Sequence, residues 1–142
     1  MRSVRRRQRV SFSAEQMFDL VDDIERYPDF LPWCQKAIIK SRTEEQVEAS
    51  VEVGLRGISK EFSTRNRLER PRCIDIQLIR GPFRKLEGAW TFDATDQGCE
   101  IALSLDFEVS HSPLNLLFST IFEEIVRSQV AAFTARAEKL YG

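Results

Sequence analysis

The chain has 142 residues, 42% of them hydrophobic and 30% charged, with a net charge of −1. That is the length of one domain, and the composition excludes disorder, because such a chain buries about two-thirds of its unfolded surface. No apolar run approaches the roughly 20 residues that span a bilayer and the N-terminus lacks the apolar core of a secretory signal, so a cytoplasmic location is expected. Cys34, Cys73 and Cys99 are far apart, odd in number and accompanied only by His111, which predicts free thiols and gives no zinc or disulfide spacing.

Five of the first nine residues are arginine, a pattern compatible with a targeting peptide or a nucleic-acid arm. Val4, Val10 and Phe12 nevertheless share one phase of a period-2 pattern and Arg5, Arg7 and Arg9 share the other, which is the signature of a half-buried first strand. Ser13-Ala14-Glu15-Gln16 then offers a capping box ahead of Met17, Leu20, Val21 and Ile24, predicting a helix over residues 14–23. Tyr27-Pro28-Asp29-Phe30-Leu31-Pro32-Trp33 sets four large apolar side chains among two prolines, which forbid a continuous helix and leave a short helical turn in a loop.

From Lys36 to Val109 the alternation is again of period 2, broken at residues 43–45, 54–57, 70–72, 81–82 and 95–98, so six more strands are expected. One phase collects Val47, Ala49, Val51 and Val53, then Ile74, Ile76 and Leu78, then Leu86, Trp90 and Phe92, then Ile101 to Val109 in alternate places. The other phase is polar, as in an antiparallel meander covered on one face. Ser112-Pro113 supplies a cap and a first-turn proline for a long helix over residues 113–140, whose apolar positions include Leu114, Leu117, Phe118, Ile121, Ile125, Phe133 and Leu140. The fold class is therefore α+β, an antiparallel sheet of about seven strands wrapped around a long C-terminal helix.

Charge is unevenly placed. Residues 86–126 hold eight acids and no Lys or Arg, whereas residues 56–85 hold nine bases and three acids. If the first strand pairs with the last, Arg5, Arg7 and Arg9 lie beside Glu100, Asp106 and Glu108, and no DNA partner is needed to explain them.

Ser13-Ala14-Glu15-Gln16-Met17-Phe18, the run from Tyr27 to Cys34, Phe62-Ser63-Thr64-Arg65-Asn66, Gly81-Pro82-Phe83-Arg84-Lys85-Leu86 with Trp90, and Ala132-Phe133-Thr134-Ala135-Arg136-Ala137 together resemble the COQ10/RatA family of START-like, helix-grip proteins across the whole chain. The resemblance implies a cavity between sheet and long helix. It further implies one of two roles: binding and chaperoning a ubiquinone-like polyprenyl quinone in support of respiration, with peripheral contact at the inner membrane, or association with the large ribosomal subunit as a translation-inhibiting toxin. A polyketide-cyclase-like enzyme is a third, weaker implication.

In that frame Phe62, Leu78, Phe83, Leu86, Trp90, Phe118, Phe122 and Ile125 are the expected pocket lining, each also readable as plain core. Lys60 shares a strand phase with Phe62, Thr64, Asn66 and Leu68. It either turns inward toward a quinone carbonyl or snorkels to water, and Arg80 has the same two readings. Tyr27, Phe30, Leu31 and Trp33 form either a membrane-touching entrance loop or a lid folded onto the core. One histidine supports no specific catalytic triad, and no phosphate loop or metal-ligand spacing is present, so a non-enzymatic protein is expected, with no cofactor beyond the bound quinone.

Overall fold

The computed structural model describes residues 1–142. In chain order the elements are β1 (Arg2–Val10), α1 (Ala14–Asp22), a single 3-10 turn (Ile24–Arg26), α2 (Tyr27–Phe30), β2 (Cys34–Arg42), β3 (Gln46–Leu55), β4 (Ile58–Glu69), β5 (Cys73–Arg80), β6 (Phe83–Thr95), β7 (Gly98–Val109) and α3 (Pro113–Tyr141). The strands form one antiparallel sheet in the order β1-β7-β6-β5-β4-β3-β2, so β1 and β2 are its edges. Sequence neighbours pair through hairpins, and the chain closes the meander by returning β1 alongside β7, from Arg2 opposite Phe107 to Val10 opposite Cys99.

Local chemistry sets the helix ends. The Ser13 side chain accepts from the Gln16 N–H at 3.1 Å while the Gln16 side chain accepts from the Ser13 N–H at 2.9 Å, the reciprocal cap that the sequence predicts for α1. Ser112 caps α3 through the Asn115 N–H at 3.1 Å, with Pro113 in the first turn. At 29 residues α3 is about 43 Å long, and it lies across the apolar phase of the sheet. Phe92, Phe107, Phe118 and Phe133 are wholly buried between the layers, and Trp90 is 3% exposed. No helix of the chain is long and apolar enough to cross a membrane.

The helix overhangs the sheet at both ends. Leu114, Leu117 and Leu140, read from their spacing as part of the buried face, are 49%, 59% and 50% exposed, because periodicity fixes the direction of a side chain but not whether the sheet reaches that far. The arginines are largely held by carboxylates. Arg5 meets Asp106 at 2.9 Å and Arg9 meets Glu100 at 3.8 Å across the β1–β7 pair, whereas Glu108 pairs with the N-terminus and Arg84 and not with a β1 arginine. In the basic middle, Arg56 binds Glu124, Arg65 binds Glu48, Arg70 binds Asp19 and Asp22, and Arg72 binds Glu69.

The sheet is notched. β5 and β6 pair only from Cys73 opposite Thr91 to Gln77 opposite Glu87. Beyond that point β5 stays with β4, up to Arg80 opposite Ser63, and β6 stays with β7, from Phe83 opposite Val109. Residues 78–86 therefore make a wide hairpin whose two arms are not bonded to each other.

Candidate functional site: an apolar cavity beneath the long helix

The inner phase of the sheet and the buried stripe of α3 do not fill all the space between them. They leave a cavity of about 100 Å³ lined by 19 residues, 16 of them hydrophobic. Ala49, Val51 and Val53 of β3, Phe62 of β4, Ile74 and Ile76 of β5, Leu86 and Trp90 of β6 and Leu105 of β7 form the floor, and Phe122, Ile125 and Val126 of α3 form the roof. Val21, Ile24, Tyr27 and Trp33 close one side. Small side chains at Ala49 and the valines leave room that larger ones would occupy.

Three polar residues interrupt this lining: Thr64 and Asn66 on β4 and Gln129 on α3. The Thr64 hydroxyl donates to Asn66 Oδ1 at 3.1 Å. That bond orients the Asn66 amide and leaves its NH2 group to donate elsewhere, and the Gln129 amide has no protein partner either. Two amides at a cavity wall, on facing layers, can donate to a carbonyl oxygen without the desolvation cost of a buried charge.

The surroundings are rigid on one side. The Tyr27 hydroxyl donates to the Val21 carbonyl, and burial raises its pKa far above the usual phenol value, so it remains a neutral donor at any physiological pH. Cys34, buried beside Trp33, donates its thiol to the Lys36 carbonyl at 3.6 Å, and burial pushes its pKa up to about 11, the opposite of what a nucleophilic cysteine needs. His111 is exposed in the turn before α3, away from the cavity.

Phe62, Leu86, Trp90, Phe122 and Ile125 are brought together on the cavity wall as the sequence suggests. Phe83 and Phe118 stand behind them as packed core, with Phe83 edge-on to Phe62 at 5.3 Å and to Phe122 at 4.9 Å between ring centroids. Leu78 packs against the core outside the cavity. Neither cation is part of the wall: Lys60 is half-buried on the inner phase opposite the lining residue Val53 but does not itself line the cavity, and Arg80 is exposed. Of the aromatic segment, Leu31 and Trp33 are 0% and 7% exposed, and Tyr27 and Phe30 lean on Phe133. This segment is a lid folded onto the core, and it is not presented to a membrane. The polar groups that do face the cavity carry a weak sequence signal. Thr64 and Asn66 fall on the inner phase of a strand, where polar residues are out of place, whereas Gln129 is undistinguished within α3.

The cavity is smaller than the family resemblance implies. Sites for drug-sized ligands run to about 300–1,000 Å³, and a dry cavity of about 150 Å³ suffices for one benzene-sized ring. The space as it stands suits part of a ring and no polyprenyl tail.

The family model described as polyketide cyclase/dehydrase and lipid transport matches residues 10–134. The ribosome association toxin RatA of Vibrio cholerae is 45% identical over 143 residues, covering 100% of this chain and 99% of its own. The mitochondrial coenzyme Q-binding protein COQ10 homolog B of Xenopus laevis is 32% identical over 142 residues, covering 94% of this chain and 57% of its own. Among solved structures, the Zhui aromatase/cyclase from Streptomyces sp. R1128 superposes with a TM-score of 0.85 at 17% identity, over 97% of this chain and 94% of that one, a likeness of fold alone.

Proposed function

The chain belongs to the polyketide cyclase/dehydrase and lipid-transport family, in its START-like COQ10/RatA branch, and on that premise we propose that it binds an apolar, ring-bearing lipid of the polyprenyl-quinone class without changing it chemically. The observation that carries this reading is the cavity itself, apolar on nearly every side, with the Asn66 and Gln129 amides as its free donors. A quinone carbonyl accepts from such donors, and the lining contributes roughly 25 cal/mol for each Å² of ring and tail it covers. The head-group role expected of Lys60 and Arg80 passes to Asn66 and Gln129. Because the resting cavity holds a ring at most, taking up a tail requires α3 and the sheet to part, and binding includes the cost of that opening.

Both tryptophans, Trp33 and Trp90, are on the wall, so their emission reports on occupancy. Titration with a short-chain quinone should quench them saturably. Ala49→Leu, which fills the void from the floor, should abolish the saturable part while the fold persists, and Asn66→Leu should weaken it by about fivefold to tenfold. Quenching that is linear in quinone, or indifferent to Ala49→Leu, would overturn the reading.

A second reading is favoured by a different observation, the 45% identity to a ribosome association toxin over essentially the full length of both chains. In that reading the protein associates with the large ribosomal subunit through its surface. Co-sedimentation with ribosomes, falling steeply between low and high salt, would support it. Retention of that association in Ala49→Leu would separate it from the cavity.

A further inference from the structure

The polar side chains of the cavity wall differ in the freedom they retain. On the inner face of β4, Thr64 lies opposite Ala49 of β3 and Leu78 of β5, and Asn66 lies opposite Val47 and Ile76. A polar pair in so apolar a field loses its water when the cavity fills, so its hydrogen bonds decide which ligand atoms it tolerates. The Thr64 hydroxyl donates to Asn66 Oδ1 at 3.1 Å. With its oxygen turned toward Thr64, the Asn66 amide offers a ligand its NH2 group, which has no partner in the protein.

The other groups on the wall are mostly donors as well. The indole N–H groups of Trp33 and Trp90 find no acceptor, although the two residues are only 7% and 3% exposed. Asp22 Oδ1 is the one sealed side-chain nitrogen or oxygen that lacks a partner, so these indole nitrogens still open onto space, and both rings line the cavity. Gln129 is unpinned and can turn either end of its amide inward. The acceptors left are its oxygen and the lone pairs of the Thr64 and Tyr27 hydroxyls, which already donate to Asn66 and to the Val21 carbonyl. No Asp, Glu, Lys, Arg or His lines the cavity, so no charge overrides this pattern of dipoles.

We infer that the cavity selects the oxidised, carbonyl-bearing form of its ring over the reduced, hydroxyl-bearing form, with Thr64 as the positioning residue that sets the choice through Asn66. The inference rests on the quinone reading above and adds to it the redox state of the ligand. A quinone oxygen only accepts, and the Asn66 NH2 satisfies it. A quinol oxygen can accept from the same NH2, but its own proton then needs an acceptor. One hydroxyl cannot accept from the nitrogen and donate to the oxygen of the same amide, and Oδ1 and the Thr64 hydroxyl that engages it lie on the side away from an atom held at the nitrogen. The quinol proton is left covered and unpaired, which is the costly outcome for a hydrogen-bonding group. Across the cavity Gln129 serves either form, so discrimination belongs to the β4 side. Tighter binding of the oxidised form lowers, by linkage, the potential of the couple the protein holds.

Equilibrium dialysis of the full chain under argon measures a short-chain ubiquinone and its quinol separately. The wild type should hold the quinone about tenfold more tightly, which lowers the potential of the bound two-electron couple by about 30 mV. Thr64→Val keeps the shape, removes the hydroxyl and frees the Asn66 amide to turn, so the preference should fall to about twofold or less. Thr64→Ser keeps the donor and should retain the preference. Asn66→Leu deletes the NH2 and should collapse the ratio by weakening the quinone, an arm that stands even if Thr64→Val does not fold; near-UV circular dichroism reports folding. A merely structural role for Thr64 would move both affinities together and leave their ratio intact. Equal affinity for the two forms in the wild type, or tighter quinol, overturns the inference and leaves the quinone reading standing. A preference that survives Thr64→Val or Asn66→Leu, or that Thr64→Ser loses, overturns the assignment of the choice to this pair. Saturable binding of neither form overturns the quinone reading, and the inference falls with it.

Discussion

The two halves of α3 are held in different ways. Its C-terminal half is clamped: Phe133 is fully buried and met edge-on by Tyr27, Phe30 and Trp90, Arg136 sits over the Phe30 ring at 4.9 Å, and Ala137 packs with no exposure. Beside it Asp22, nearly buried, takes Arg42 at 2.9 Å and Arg70 at 3.1 Å, tying α1 to β2 and to the β4–β5 turn. The N-terminal half rests on a hairpin whose arms are not bonded to each other and presents three leucines to solvent. Uptake of a ligand larger than the resting cavity, as proposed above, would need one end that holds and one that yields, and this asymmetry fits those tasks to the two ends.

The comparison can be broken at the clamp. Phe133→Ala should cost about 3–5 kcal/mol in urea unfolding, because the three aromatic partners cannot collapse into the space left behind. A loss below about 1 kcal/mol would mean that the clamp is not where stability resides. Asp22→Ala, which strands two arginines that still reach solvent, should cost less, about 2 kcal/mol, and should speed hydrogen exchange in α1 and β2 ahead of α3.

A smaller effect sharpens the contrast. Glu123, next to the roof residue Phe122 in the chain, is bound by Arg127 at 2.9 Å and Arg2 at 3.0 Å, and these partners hold its carboxyl below the usual range. Asp106 is held low by Ser3 and Arg5 on the same edge of the sheet. A carboxylate whose pKa is lower in the folded chain stabilises it above its unfolded pKa, and that contribution disappears as pH falls through the folded value. Lowering pH from about 5 to about 3 should therefore loosen β1 and the N-terminal half of α3 first, seen as faster proteolysis at β1. Simultaneous loosening at Phe133 would erase the distinction between the halves.

How far the residues announce this arrangement depends on what each signal encodes. Period-2 alternation determined which face of each strand is inner, and the two capping motifs located α1 and α3, since both are local chemistry. The same alternation could not say how far along a strand the helix extends, which is why Lys60 falls on the inner phase yet does not line the cavity and why Leu114 and Leu117 project past the sheet. The fate of the Tyr27 to Trp33 segment depended on tertiary space under Phe133, and the polar donors of the cavity depended on register between β4 and α3. Neither is written in any one segment.

The strand order also gives a second meaning to the arginines at the start of the chain. β1 and β2 are the two edges of an open sheet, and an unpaired edge is a template on which another chain can add a strand. β1 guards its edge with Arg2, Arg5, Arg6, Arg7 and Arg9, and β2 guards its own with Lys36, Lys40 and Arg42 and with two register irregularities, at 34–36 and 39–41. Charge repels an incoming strand and a bulge spoils its register. An unusually basic N-terminus thereby serves colloidal stability, keeping a sheet that remains open at both sides from growing into a shared one.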